Sequence, residues 1–367
     1  NNIVQITKGS FDSYMLKEIY EQPRTVEDCL SGRLDGYRIK LGGLIGYENI
    51  LKKANHITIL GCGSSYYAGL IGKYYIEQFC KIKVSVEYAS EFKYRKPCID
   101  KGDIVIGISQ SGETADTIGA LEIAKIYGAT IIGICNVANS TLSRMTDCGI
   151  FLKAGVEVGV ASTKTFTNQI ICLLLLSLWI EQSLDLMGAS QKKMIIDDLR
   201  NLSGTLEHML QSHESIEYLS ENFKDIKNCL FLGRGYNFPI AMEGALKLKE
   251  ISYIHAEGYA AAEMKHGPLA LIEKDIPVIV IANQSEQHDK LANNIKEIQA
   301  RDGKVVIICS SFSSNLGDYK IKVPLICDVL SPIISIVPLQ LFSYYSAKIR
   351  GKNVDKPRNL AKSVTVE

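Results

Sequence analysis

Residues 104–114 read Ile104-Val105-Ile106-Gly107-Ile108-Ser109-Gln110-Ser111-Gly112-Glu113-Thr114. A wholly apolar run that breaks into a hydroxyl- and glycine-rich turn, with a helix after it, describes a buried parallel strand feeding a helix. Backbone N–H groups at such a helix start converge, with the Ser and Thr hydroxyls, on an anion. No Lys follows the turn, as a Walker loop requires. The spacing therefore favours a phosphorylated metabolite over a nucleoside triphosphate. The competing explanation is a capping box, Ser111-Gly112-Glu113-Thr114, but a cap needs one hydroxyl and three are clustered here.

The same unit occurs twice. A strand ending at a glycine turn appears as Ile57-Thr58-Ile59-Leu60-Gly61-Cys62-Gly63-Ser64 and again as Cys229-Leu230-Phe231-Leu232-Gly233-Arg234-Gly235. The strand Asp103 to Ser109 is matched by Ile276 to Asn283 with Gln284-Ser285 after it, and Thr130 to Cys135 by Lys304 to Cys309. Each half ends in a helix carrying a polar side chain, at Thr167-Asn168-Gln169 and Val337-Pro338-Leu339-Gln340. The offsets are all about 171 to 174 residues. All-apolar strands alternating with helices predict an α/β fold, with two parallel sheets covered on both faces. Right-handed crossovers then place the functional turns at the carboxyl edge of each sheet. The expected division is an N-terminal segment over 1–46, a first domain over 47–186, a helical connection over 187–218, a second domain over 219–350 and a tail over 351–367. Residues 1–46 read as polar and irregular beyond an early helix near Asp12 to Tyr20.

Composition agrees with a globular protein. The 367 residues are 46% hydrophobic and 22% charged, with a formal net charge of +1, so neither a nucleic acid nor a membrane partner is indicated. The longest apolar run, Ile170 to Ile180, is short of the roughly 20 residues of a membrane span and predicts a buried helix. The first residue is Asn1 rather than Met, and no signal peptide is evident, so the chain reads as a fragment or processed product. The ten cysteines form no Cys-x-x-Cys pair and lie mostly in apolar stretches, as reduced thiols of a cytoplasmic protein do. No metal or cofactor is expected.

Several further stretches carry chemistry. Gly61-Cys62-Gly63-Ser64-Ser65 begins like a dinucleotide-binding turn, with Glu87 where a ribose-binding acid would sit. Position 66 is Tyr rather than the third glycine, which favours a sugar-phosphate turn or a structural one. Val160-Ala161-Ser162-Thr163-Lys164-Thr165 opens a long helix, with Ser162 either its N-cap or a substrate contact. Glu243, Lys247 and Glu250 fall on one stripe of a helix. Their apolar neighbours argue against a solvated face, and Lys247 with Glu250 makes an acid/base pair. His266, before Gly267-Pro268, is an exposed loop histidine.

Taken together, Ser109–Thr117, Gly159–Lys164, Leu246–Glu257, Lys265–Ala270 and Pro357–Glu367 resemble the isomerase half of the glucosamine-6-phosphate synthases, also called glutamine–fructose-6-phosphate amidotransferases. The resemblance covers the whole chain and points to a eukaryotic member. It implies two tandem sugar-isomerase (SIS) domains, each a five-stranded parallel sheet with flanking helices, and a tail that closes the active site. It further implies that Ser109, Gln110, Ser111 and Thr114 hold the phosphate of fructose 6-phosphate. Cys62, Gly63, Ser64 and Ser65 would line the sugar, and Val160, Ala161 and Ser162 would close over it. Glu250 would move a proton between carbons 1 and 2, and Lys247 would assist at the sugar oxygens. His266, offered by a neighbouring subunit, would open the ring. Lys362 would form a Schiff base with the ketose, with Arg358 keeping the tail folded.

The implied partners are fructose 6-phosphate, glucose 6-phosphate and glucosamine 6-phosphate, an N-terminal glutaminase domain of the same polypeptide, and further copies of the chain in a dimer or tetramer. Eukaryotic members are feedback-inhibited by UDP-N-acetylglucosamine, to which no residue here is assigned. Without the glutaminase part, the chain is expected to interconvert fructose 6-phosphate and glucose 6-phosphate. A non-catalytic sugar-phosphate sensor and an NAD-dependent oxidoreductase are the rival readings. The first leaves Lys247, Glu250, His266 and Lys362 unexplained as a set, and Tyr66 weakens the second.

Overall fold

The computed structural model describes residues 7–211, 213–283, 288–310 and 316–366. Two helices come first among the described residues, α1 (Tyr14–Tyr20) and α2 (Gln22–Leu30). Ser13 caps α1, its hydroxyl accepting from the Leu16 amide at 3.1 Å. A two-stranded hairpin follows, Leu34–Asp35 with Arg38–Ile39. The N-terminal stretch is thus more regular than its polar composition suggests, because Val26 and Cys29 of α2 are fully buried and packing compensates for weak intrinsic propensity.

The chain then divides into two compact units. The first comprises Arg24–Glu157, Lys164–Arg200 and Ala361–Glu367. Its strands are β1 (His56–Gly61), β2 (Lys83–Tyr88), β3 (Ile104–Ser109), β4 (Thr130–Cys135) and β5 (Cys148–Phe151). Its main helices are α3 (Ser64–Cys80), α4 (Ala115–Ile126) and α5 (Lys164–Leu184). These five strands form one sheet in which every pairing is parallel, in the order β2-β1-β3-β4-β5. Every residue of β3 is buried, as a central strand covered on both faces requires. Gly107 permits that closeness, since a Cβ there would lie 2.5 Å from the Leu121 side chain of α4. From β1 the chain crosses to β2 on one side, and β3 lies on the other. The turns after β1 and β3 therefore meet at a topological switch point, where α/β sheets bind ligands.

The second unit comprises Asn1–Pro23, Val158–Thr163 and Asn201–Leu360. It contains β6 (Asn228–Gly233), α6 (Asn237–Ser252), β7 (His255–Ala260), β8 (Pro277–Ile281), α7 (His288–Gln299), β9 (Lys304–Cys309), β10 (Tyr319–Lys322) and α8 (Ser331–Ile349). Its sheet is again wholly parallel, in the order β10-β9-β8-β6-β7. Strand for strand, this repeats the first sheet. Gln284-Ser285, the counterpart of the 109–114 turn, lies outside the described residues.

Helix α5 and the stretch Asp328–Ile349 have the length and apolar content of membrane spans, yet 83% and 100% of an apolar 18-residue window in each is buried inside the protein. The α5 helix extends well beyond its apolar run because its polar first turns are buried too. Asn168 Nδ2 donates there to the carbonyls of Thr25 (2.9 Å) and Leu152 (3.0 Å).

Candidate active site

The turn after β1 is tight. A Cβ on Gly61 would lie 2.9 Å from the Ser65 backbone, and Gly63 adopts φ +54°, a region open to glycine. Ser64 and Ser65 then start α3, where the Ser65 hydroxyl accepts from Gln169 Nε2 of α5 at 3.0 Å. Burial pushes the Cys62 thiol up from its ordinary value, so it stays a neutral wall of the turn. Tyr66 stacks on Tyr88 with ring centroids 3.8 Å apart. Glu87 is tied to Arg95, whose Nε donates at 2.9 Å. Both features of a dinucleotide site are thus otherwise employed.

The turn after β3 is braced from within. Ser109 Oγ accepts from the Gly112 amide at 3.0 Å and lies 3.0 Å from Thr114 Oγ1. Ser111 Oγ accepts from the Glu113 amide at 3.1 Å and lies 3.0 Å from Ser363 Oγ of the tail. Each hydroxyl pair consumes one of its two protons, leaving the other to donate. Gln110 is half-buried, its carbonyl accepting from the Asn136 amide at 3.1 Å. Gly112 sits at φ +68°. The capping box does not form. Thr114 precedes α4 without a side-chain cap bond, while Glu113 reaches the Thr141 amide and hydroxyl, both at 2.8 Å. Those hydrogen bonds hold Glu113 below the usual carboxylate range.

The tail is anchored over this turn, with the Ala115 amide donating to the Val364 carbonyl at 3.1 Å. Lys362 Nζ lies 2.6 Å from Glu157 Oε2, a carboxylate with no solvent exposure. Glu157 also accepts from the Thr165 hydroxyl at 2.7 Å. Nothing in the sequence singled out Glu157, and Gln169 stood out only as the repeat partner of Gln340; Lys362 and Ser65, the residues they meet here, lie 205 and 104 residues away.

In the second unit, Lys247 Nζ on α6 lies 2.7 Å from Glu250 Oε2 and 3.4 Å from Glu243 Oε1. Burial works against its charge, but the two carboxylates outweigh that penalty and hold the ammonium above the ordinary lysine range. Side-chain exposure is 1% at Lys247 and 21% at Glu250. The Lys247 ammonium pairs with both carboxylates and fixes Glu250 in place. His266 ends the short helix Ala261–His266 and is exposed, before Gly267 at φ +145°. Arg358 stacks its guanidinium 4.3 Å from the Tyr253 ring centroid, and its amide donates to the Tyr253 hydroxyl at 2.9 Å. Tyr253 itself caps α6 in the left-handed conformation, φ +63°. Val160, Ala161 and Ser162 form an irregular strap in which Ala161 is buried and its two neighbours half-buried. Because α5 starts at Lys164, the residue directly before it is Thr163, not Ser162.

Residues 50–178 and 222–350 each match the model of the SIS domain. The chain belongs to the SIS domain family. Its two SIS domains coincide with the two five-stranded sheets. Over 371 aligned residues the chain is 49% identical to a glutamine–fructose-6-phosphate aminotransferase (isomerizing) of Chlorobaculum tepidum, and over 368 residues 48% identical to that of Bacteroides thetaiotaomicron. These alignments take in 100% and 99% of the chain but 60% of each relative, so the chain spans about three fifths of their length. The solved C-terminal domain of glucosamine-fructose-6-phosphate aminotransferase from Francisella tularensis superposes with a TM-score of 0.90 at 40% identity, over 96% of this chain and 100% of that domain. These relatives are bacterial, whereas the sequence reading points to a eukaryotic member.

Proposed function

We propose that this tandem SIS chain is the sugar-phosphate-isomerising part of a glutamine–fructose-6-phosphate aminotransferase, and that alone it interconverts fructose 6-phosphate and glucose 6-phosphate. The observation that carries the reading is the turn Ser109–Thr114, whose hydroxyl pairs keep spare protons at a helix start on the carboxyl edge of the sheet. It suits a phosphate monoester. Full-length likeness to the C-terminal domain of that enzyme supports it.

In this reading Ser109, Gln110, Ser111 and Thr114 hold the phosphate, with Cys62 to Ser65 and Val160 to Ser162 around the sugar. His266, supplied by another copy of the chain, opens the ring. Glu250 takes the proton from carbon 1 of the open ketose and returns it to carbon 2, general base and then general acid. Lys247 assists at the sugar oxygens, and its ion pair keeps the Glu250 carboxylate in place. In the complete enzyme, ammonia released from glutamine by a preceding domain would form the imine at carbon 2, acidifying the same proton and giving glucosamine 6-phosphate. A cytoplasmic, homo-oligomeric protein fits that role, as does Lys362 as a Schiff-base partner once it leaves Glu157.

The test is to incubate the purified chain with fructose 6-phosphate and follow glucose 6-phosphate through a coupled dehydrogenase. Turnover is expected, and Glu250→Gln is expected to lower it about a hundredfold or more. Sugar-phosphate binding without any turnover would favour the sensor reading. Survival of turnover within about tenfold in the variant would remove Glu250 as the base.

A further inference from the structure

Glu18 on α1 carries a carboxylate that the proposed reaction does not employ. It is 2% exposed, accepts from the Val158 amide at 2.5 Å and meets the Gly159 amide with both oxygens at 3.3 Å. The next amide, that of Val160, donates to the Asp355 carbonyl at 3.1 Å. The Asp355 carboxylate in turn accepts from the amides of Tyr14 and Met15 at the start of α1, at 3.0 and 2.9 Å. At the far end of the strap, Gln340 Nε2 reaches the Thr163 carbonyl at 3.4 Å, and Gln340 Oε1 accepts from Gln22 Nε2 at 2.9 Å. All of these groups belong to one unit. Residues 158–163 have no helix or strand of their own, so side chains and carbonyls from elsewhere must satisfy their buried backbone. A Cβ at position 159 would lie 2.8 Å from Glu18 Oε2, so a side chain there would push the strap and the carboxylate apart.

We propose that Glu18 is a positioning residue for the sugar phosphate: by gripping the amides of Val158 and Gly159 it sets the path of the strap that presents Ala161 and Ser162 to the substrate. This rests on the reading that the strap touches the sugar. A carboxylate is the right group, because it only accepts and two N–H donors converge on it. A glutamine would turn one of its ends into a donor facing donors. Aspartate keeps the acceptors but stops one methylene short.

The test measures steady-state fructose 6-phosphate isomerisation by the purified chain for four variants. Glu18→Gln is expected to raise KM about tenfold and to leave kcat within about twofold. Ser162→Ala is expected to raise KM as well. Ser220→Ala removes a buried hydroxyl bond to the Ile216 carbonyl at 2.9 Å and is expected to leave KM alone. Should Glu18→Gln fail to fold, Gly159→Ala, which crowds the strap off an intact carboxylate, is expected to raise KM by the same route. An unchanged KM in Ser162→Ala would overturn the strap's contact with sugar, and the role of Glu18 with it. A raised KM there alongside an unchanged KM in Glu18→Gln or Gly159→Ala would overturn Glu18 alone. An equal rise in Ser220→Ala would reduce the effect to general loosening and overturn it too.

Discussion

Lys362 Nζ sits 2.6 Å from Glu157 Oε2, pairing a lysine of the C-terminal tail with a carboxylate that has no solvent exposure. The same carboxylate accepts the Thr165 hydroxyl at 2.7 Å and the Thr165 amide at 3.2 Å, at the first turn of α5. The tail is therefore latched to the core of its unit through one ion pair, with Ser363 and Val364 lying on the turn after β3 and the start of α4 just beyond. To act as a nucleophile, Lys362 must leave this partner and give up a proton. The observed arrangement is the latched form.

Substituting Glu157→Gln keeps the shape but removes the charge that Lys362 meets. The latch should weaken by about 1–3 kcal/mol. Limited proteolysis with trypsin is the measurement, and cleavage after Arg358 and Lys362 should speed up several-fold while the core fragment stays intact. An unaltered cleavage rate would mean that Ser363 and Val364 hold the tail unaided.

Gly112→Ala tests the turn itself. At φ +68° an alanine is strained, and its Cβ would lie 2.1 Å from Ser140 Oγ. A loss of about 1–3 kcal/mol is expected from the backbone alone. Calorimetry should show a lower Tm, and titration with fructose 6-phosphate should show weaker binding.

Lys247→Met leaves Glu243, with no exposure, buried beside an uncharged chain. A loss of about 3–5 kcal/mol is expected at pH 7. In the wild type the folded-state pKa of Lys247 lies above its ordinary 10.5, so its contribution is complete below pH 10.5 and fades as pH rises through the folded value. The stability difference between wild type and Lys247→Met, measured by urea unfolding, should stay constant from pH 7 to about 10 and shrink beyond. A difference that grows above pH 10.5 would contradict the assignment.

Deleting the chain from Arg358 onward removes the stacking on Tyr253, the Glu157 partner and the cover of the Ser109–Thr114 turn together. Turnover should vanish, while affinity for the sugar phosphate, measured calorimetrically, should persist because Ser109 and Thr114 brace each other without the tail. Unchanged turnover would strike Lys362 from the mechanism.

The fold was legible because its signal is local and repeated. Strands such as Ile104–Ser109 are apolar throughout, and a nearly constant offset exposes the duplication without any knowledge of contacts. Gln169 and Gln340 were visible as a matched pair for the same reason, although their different duties were not. Gln169 holds Ser65, while Gln340 joins Gln22 to the strap. Helix α2 escaped notice because tertiary burial of Val26 and Cys29 stabilises it more than its own propensity does. Glu157 and Glu18 were illegible for a different reason. Their partners lie 205 and 140 residues away, and an isolated Glu looks the same in the sequence whether it is solvated or enclosed. Lys247 was found at the correct spacing, but only coordinates reveal that both neighbouring carboxylates claim its charge.

The address occupied by Ser65 and Ser109 in the first sheet is furnished otherwise in the second. There Asn237 Nδ2 donates to Asn283 Oδ1 at 2.6 Å, and Asn283 Nδ2 donates to Ser335 Oγ at 2.7 Å. Among the described residues, hydroxyls with protons to spare have given way there to amides that hydrogen-bond with one another and with a hydroxyl. On the proposed reading the two copies of one architecture divide the labour, and a saturated chain should carry one sugar phosphate rather than two.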